Sequence, residues 1–279
     1  MKKMNFQDFS LAYLHHPIND NTPIICIHGS WDDHQSWNGV ANSLSEHTLL
    51  RYDRRGHSQS SAPKGQGRLS DDVADVIALL DYLNLPTAHV LGHSYGANVS
   101  IVLASRHPER VSSLMLLEPP VFSLLQDENE ALRLEASNLM KQAAILIEQG
   151  QIEAGAKLFI EKVAFGDRAW REVFDSQARA TILSNAHTWL DQFRDPDRLA
   201  VNVSALATFP GQTTLLTGSA TLPAYTAVVQ KISELVPRAT IRSVAGAGHG
   251  MHISHPELVA AALKAHLETV SMSPLPRAC

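Results

Sequence analysis

Ala88-His-Val-Leu-Gly92-His93-Ser94-Tyr95-Gly96, running on through Ala97 to Arg106, is the stretch on which the reading of this chain turns. A short apolar run enters it as a strand, and a helical pattern leaves it until Pro108 stops the helix. Between the two, Gly92, Ser94 and Gly96 fit G-x-S-x-G. Glycines two before and two after a serine let strand and helix approach closely around a strained turn, which lifts the hydroxyl to the edge of a sheet. A serine hydroxyl is a poor nucleophile until a turn exposes it and a base takes its proton. The plainer alternative is a packing turn with an ordinary serine, and the strand-turn-helix context argues against it.

Outward from this turn, strands and helices alternate. Strands are expected at Asn5–Phe9, Leu11–His15, Ile24–Ile27 and His47–Asp53. The apolar run Pro23 to His28 is too short for a helix and suits a strand buried on both faces. A helix follows from about Asp71, with Val73, Val76, Ile77, Leu80 and Leu83 on one face and Ser70 as its expected N-cap. Val111–Leu117 is the next strand. The alternation then breaks: from Phe122 to about residue 206 only helical patterns occur, such as Glu128–Gln149 closed by Gly150, and Ile152–Ala164. Strand patterning returns at Thr213–Thr217 and Thr240–Val244, with helices at Tyr225–Leu235 and Pro256–Leu267 and a frayed tail from Ser271. The expected class is therefore α/β, a mostly parallel sheet of eight strands covered by helices on both sides. Its core is formed by residues 1–121 and 207–279, and residues 122–206 form a helical insert.

Composition narrows the partners. The 279 residues are 44% hydrophobic and 18% charged, with a net charge of −5, which is ordinary for a globular core and argues against a nucleic-acid or anionic-membrane surface as the main partner. No stretch approaches the roughly 18 apolar residues of a membrane span. Cys26 and Cys279 stand far apart, so no disulfide framework is expected. The sequence predicts a cytoplasmic protein, monomer or homodimer, acting on a small molecule. No cofactor and no metal are expected: no G-x-G-x-x-G opens a helix, and the 14 histidines lack zinc-like spacing.

A nucleophile at Ser94 needs a base and an oxyanion site. Gly246-Ala-Gly-His249-Gly250 follows a strand and precedes the last helix, and its small residues let an imidazole reach the serine. His252 and His255 compete but lack the glycine-lined setting; His93, on a strand, is expected to face away from the serine. The oxyanion donors should be the amide after the nucleophile, Tyr95, and one from the loop after an early strand, Ser30 in His28-Gly29-Ser30, with Trp31 as substitute if that loop is shifted by one. Trp31, His93, Phe122 and Met251 are the expected substrate-binding positions. Trp31, Trp37, Trp170 and Trp189 are otherwise read as core, and Asp53, Arg54 and Arg55 as shaping their loop.

These motifs give the chain a resemblance to the α/β-hydrolase-fold serine hydrolases. It rests on Ile27 to Ser30, Arg51 to His57, Gly92 to Gly96, Glu118-Pro119-Pro120, and Gly246 to Gly250 with Pro256-Glu257. In that family the insert is a helical cap over the active site. Members usually carry an Asp after the strand matching Leu215–Thr217, yet here Gly218 to Ala224 contains no carboxylate. Some members place the acid at the end of the preceding strand, where Glu118 stands, and the order Ser94, Glu118, His249 keeps the fold's sequence of nucleophile, acid and base. Serine at 94 argues against the dehalogenases and epoxide hydrolases of this fold, which the resemblance implies would carry Asp there. The expected activity is esterase- or lactonase-like, through an acyl-enzyme on Ser94 with a Ser-His-Glu triad. Hydrolysis of a carbon–carbon bond in a diketone, another non-ester reaction on the same fold, and a slow-turnover ligand receptor are the alternatives.

Overall fold

Ile24, Ile25, Cys26 and Ile27 are all buried because alternate side chains enter two different cores. Ile25 and Ile27 join the larger one; Ile24 and Cys26 join the smaller. The neighbouring strands divide in the same way, with Val90, Leu114, Leu116 and Leu215 on the first side and Leu91, Met115, Leu117 and Leu216 on the second. A continuous apolar run is thus the signature of a strand covered on both faces.

The computed structural model describes residues 1–18 and 21–272. Eight strands form one sheet: β1 (Lys2–Asn5), β2 (Ser10–His16), β3 (Ile24–Ile27), β4 (Leu49–Tyr52), β5 (Ala88–His93), β6 (Val111–Leu117), β7 (Gln212–Gly218) and β8 (Thr240–Val244). Their order across the sheet is β1-β2-β4-β3-β5-β6-β7-β8. β2 runs antiparallel to β1 and β4, and every other pairing is parallel. The helices are α1 (Asn38–Asn42), α2 (Leu69–Tyr82), α3 (Tyr95–Arg106), α4 (Glu130–Glu148), α5 (Ile152–Phe159), α6 (Ala169–Glu172), α7 (Ser176–Ser184), α8 (Ala186–Arg194), α9 (Pro223–Leu235), α10 (Met251–Ser254) and α11 (Pro256–Met272). α2, α3 and α9 pack residues into the larger core, and α1 and α11 into the smaller. Between β6 and β7 the described elements are all helical, including a π-turn over Ile160–Ala164 that prolongs α5. Among the described residues no helix is long and apolar enough to cross a membrane.

Three expectations are corrected. The first strand is Lys2–Asn5 rather than Asn5–Phe9, because Phe6 and Phe9 close a tight turn (Phe6 N–H to Phe9 O, 2.8 Å) and stack their rings at 4.1 Å. α2 begins at Leu69, so Ser70 lies inside the helix. Its first amides are held instead by Asp71, which accepts from the Arg68 N–H, and by Asp195 from the helical segment, which accepts from the Leu69 N–H at 2.7 Å. α11 runs on to Met272, where a frayed tail was expected from Ser271; the rest of that tail, with Cys279, lies outside the described residues.

The crossing of β3 and α3 leaves no room at Gly96. A Cβ there would sit 2.2 Å from Ile27 O and 2.5 Å from His28 O, both backbone atoms that cannot swing away. Gly96→Ala should lower stability by about 3 kcal/mol or more, at the upper end of overpacking costs. Urea unfolding measures this, and an unchanged midpoint would contradict the packing.

Burial also keeps several histidines neutral. It pushes His89 and His266 down to about 4, where they share Ser113 Oγ at 2.8 Å each, and holds His28 and His57 well below the usual imidazole value. A histidine with a folded pKa below its unfolded one adds stability that is fully present above the unfolded value and is lost as pH falls towards the folded one. The unfolding midpoint in urea should therefore drop between about pH 6.5 and pH 4. A flat profile over that window would show these side chains to be accessible to protons in the fold.

Candidate active site

β5 delivers Ser94 to a sharp turn. Its backbone stands at φ 52° and ψ −124°, and α3 starts at the next residue. The turn is pinned from both sides: the Ser94 N–H donates to Leu117 O at 2.9 Å, and the Ala97 N–H donates to Ser94 O at 2.8 Å. Gly92 is as constrained as Gly96, since a Cβ there would meet Ser100 Oγ at 2.3 Å and Gly96 O at 2.7 Å. Positive φ at a serine costs about 1–3 kcal/mol, and here close packing over-determines it. Among the described residues the Ser94 hydroxyl makes no hydrogen bond, so it is free to turn.

β6 ends at Leu117, and Glu118 follows at φ 44° with no solvent exposure. Its carboxylate accepts four hydrogen bonds. Thr217 Oγ1 (3.0 Å) and the Gly218 N–H (2.8 Å) donate to Oε1; Thr221 Oγ1 (2.8 Å) and His249 Nδ1–H (2.8 Å) donate to Oε2. Both oxygens of this buried carboxylate are thereby satisfied by protein donors. The His249 loop comes this close because Gly218 has no side chain: a Cβ there would lie 2.1 Å from Ala247 O. With Nδ1 donating to Glu118, His249 presents the lone pair of Nε2. Its ring is stacked on Tyr225 at 4.0 Å and edged by Phe165 at 5.3 Å, which fixes its plane.

Ser94 and His249 line the same cavity of about 330 Å³, along with Ser30, Trp31, Asp32, Phe159, Phe165 and His252. A second, smaller cavity of about 50 Å³ also reaches Ser94, Ser30 and Tyr95 and is bounded by Phe122 and Trp189. The amides of Ser30 and Tyr95 donate to no other group among the described residues. Tyr95 is the first residue of α3, where an amide also feels the positive end of the helix dipole. Trp31 stands at φ 70° against Trp189 (5.0 Å) and Phe159 (5.5 Å). Trp37 and Trp170 are core and line neither cavity.

Two expected positions differ. Met251 is fully buried in the smaller core; α10 turns it inward and leaves His252 and Ile253 on the cavity wall. His93 does not face away from the site: its ring lies 4.7 Å from His249 and 4.1 Å from His252, and Nε2–H donates to His249 O at 2.9 Å. His93 keeps the alternation of β5, on the face of Leu91, and that face is the one that α10 and the His249 loop cover. Burial holds His93 well below its usual pKa, so it braces the His249 backbone as a neutral ring.

Asp53, Arg54 and Arg55 organise their loop. Asp53 accepts from His34 N–H and Nδ1–H (2.9 and 2.6 Å), Arg54 pairs with Asp72 at 3.1 Å, and Arg55 with Asp75 at 2.6 Å. His28 joins this loop to the Ser30 turn by donating Nδ1–H to Gly29 O and accepting the Arg54 N–H, both at 2.9 Å. Two groups can bring ligand atoms within 4.8 Å of one another around a cation: Asp32, His93 and His252, and Asp33, His34 and Asp53. The second group is already tied up in the loop bonds just described.

Sequence reasoning missed Thr217, Thr221 and Tyr225, which hold Glu118 and His249. It also missed Gln192, whose Oε1 accepts from Ser30 Oγ at 2.6 Å. Thr221 carried one signal: it sits in the loop after β7 that contains no carboxylate, and its hydroxyl donates to Glu118.

Comparison with known proteins bears on the family and the fold. The chain is 24% identical over 257 residues to a putative carbamate hydrolase, RutD, of Caulobacter segnis, covering 86% of this chain and 89% of that one. It spans only 26% to 44% of the length of three curated relatives that it matches at 32–36% identity. Among solved structures, MGS-M2, an alpha/beta hydrolase enzyme from a Medee basin deep-sea metagenome library, superposes with a TM-score of 0.81 at 16% identity over all of both chains. The enol-lactonase from Burkholderia xenovorans LB400 gives 0.78 at 20% identity, over 96% of this chain and 100% of that one. Likeness at such identities is likeness of fold. The family model for alpha/beta hydrolases matches residues 24–262, from β3 into α11, and so takes in the whole parallel sheet and every residue of the site. On that match and this sheet order, the chain belongs to the alpha/beta hydrolase family.

Proposed function

We propose that the protein is a serine hydrolase that cleaves a small ester or lactone through an acyl-enzyme on Ser94. The observation that carries this reading is the 2.8 Å bond from His249 Nδ1 to a fully buried Glu118, with His249 and Ser94 on one cavity wall. An imidazole oriented by a carboxylate beside a raised serine is the arrangement a serine needs to act as nucleophile. In this reading a small rotation of the free Ser94 hydroxyl brings it to His249 Nε2, a contact that tightens when substrate binds.

The steps then follow. Ser94 Oγ attacks the substrate carbonyl carbon as His249 Nε2 takes its proton, and the carbonyl oxygen becomes an oxyanion held by the Ser30 and Tyr95 amides. Glu118 stabilises the imidazolium without taking its proton. The bond to the leaving alcohol breaks, and the imidazolium protonates that alcohol. A water molecule, deprotonated by His249, opens the acyl-enzyme, releases the acid and restores Ser94. Residues 122–206 act as a cap in this reading, since Phe159, Phe165, Phe174 and Ile182 close the larger cavity and exclude water. The lactonase and carbamate hydrolase names among the similar proteins support attack on an activated carbonyl.

Two outcomes are expected. Ser94→Ala should abolish labelling by a fluorophosphonate probe and turnover of short acyl esters; labelling that survives would move the nucleophile elsewhere. Glu118→Gln should lower kcat by about 10²–10⁴, as removal of a triad acid does. A loss of less than a few-fold, with an unshifted pH–rate profile, would leave Glu118 a purely structural carboxylate.

A further inference from the structure

The smaller cavity holds two polar groups that the mechanism above does not use. Arg198 lies at its wall, among Phe122, Phe159, Trp189 and Phe193. Its Nε–H donates to Phe193 O at 2.9 Å and its guanidinium rests 5.0 Å over the Phe193 ring, but its two terminal nitrogens have no partner among the described residues. The nearby carboxylate of Asp195 is committed elsewhere, accepting from the Leu69 N–H at 2.7 Å and the Asp197 N–H at 3.0 Å. Asn98, on α3 one turn after the nucleophile, is 2% exposed and lines the same cavity, and its Oδ1 is buried without a hydrogen-bond partner. Asp195 acts on this partly buried guanidinium only through space, and no carboxylate meets its terminal nitrogens at hydrogen-bond distance among the described residues, so they are open to an anion in the cavity. Burial accordingly holds Arg198 below its usual pKa.

We propose that this cavity binds a carboxylate carried by the acyl part of the substrate, with Arg198 as its cation. The inference rests on the serine-hydrolase reading and names its substrate class: half-esters or lactones of short dicarboxylic acids. The acyl side follows from the position of His249. It must hand a proton to the leaving alcohol, and it lines the 330 Å³ cavity but not the small one. The alcohol therefore leaves through the larger cavity, and the acyl chain fills the smaller. A volume of about 50 Å³ has room for about four water-sized groups, enough for a short chain ending in a carboxylate.

The test compares methyl hydrogen succinate and methyl hydrogen glutarate with methyl pentanoate, their neutral counterpart, by pH-stat. The wild-type protein should favour a charged ester in kcat/KM by about tenfold or more, as a charged hydrogen bond implies. Arg198→Gln should lower the charged-to-neutral ratio by about 30–100-fold, chiefly through KM, and Arg198→Lys should restore part of it. A fold-damaging substitution would lower both rates and leave the ratio alone, so an unchanged ratio overturns the proposal. Calorimetric titration with succinate separates this inference from the reading beneath it. If no ester is turned over, the hydrolase reading fails, while succinate binding that weakens at least tenfold in Arg198→Gln still supports the anion site. Succinate that binds neither protein, or both equally, overturns it.

Discussion

Two backbones meet beneath Ser94 with no space for a side chain between them. Gly96 lies against the carbonyls of Ile27 and His28, and Gly92 against Ser100 and the Gly96 carbonyl. That close approach holds the serine at positive φ and starts α3 at the next residue, so that Ser94 and Tyr95 border the same cavity. It also sets the Gly29–Ser30 loop beside Ser94, since the chain that Gly96 touches leads directly to it. The relative positions of Ser30, Ser94 and Tyr95 all follow from this one packing constraint.

Glu118 is positioned differently, by concentrating donors on a carboxylate at the tip of β6. Glu118 satisfies both oxygens with groups from the end of β7, from Thr221 in the loop beyond it, and from His249. A loop that carries no carboxylate of its own thus still contributes, through Thr221 and Gly218. The glutamate side chain, at positive φ, reaches the His249 imidazole from β6, the strand next to β5. Its four bonds satisfy both buried oxygens and hold the His249 ring.

Much of the fold was legible because it is written in local periodicity. Two-sided apolar runs gave β3, β5, β6 and β7, and helical spacing gave α3 and α9 to within a residue or two. The errors have physical causes of longer range. Phe6 and Phe9 resemble strand residues but stack across a turn, and the start of α2 is set by Asp195, which lies more than a hundred residues away in the chain. Met251 and His252 are adjacent in sequence, and only the orientation of α10 decides that the histidine borders the cavity and the methionine does not.

The sequence by itself determined the α/β alternation, the glycine-bracketed turn at Ser94 and the glycine-lined loop at His249, because each needs only neighbouring residues to be recognised. Only the folded chain shows that Thr217, Gly218 and Thr221 hold Glu118, that Tyr225 and Phe165 fix the His249 ring, and that Arg198 and Asn98 share a cavity with Ser94. Such contacts depend on where separate loops and helices come to rest against the sheet. Side-chain periodicity reports which face an element buries, and carries no record of its partner there.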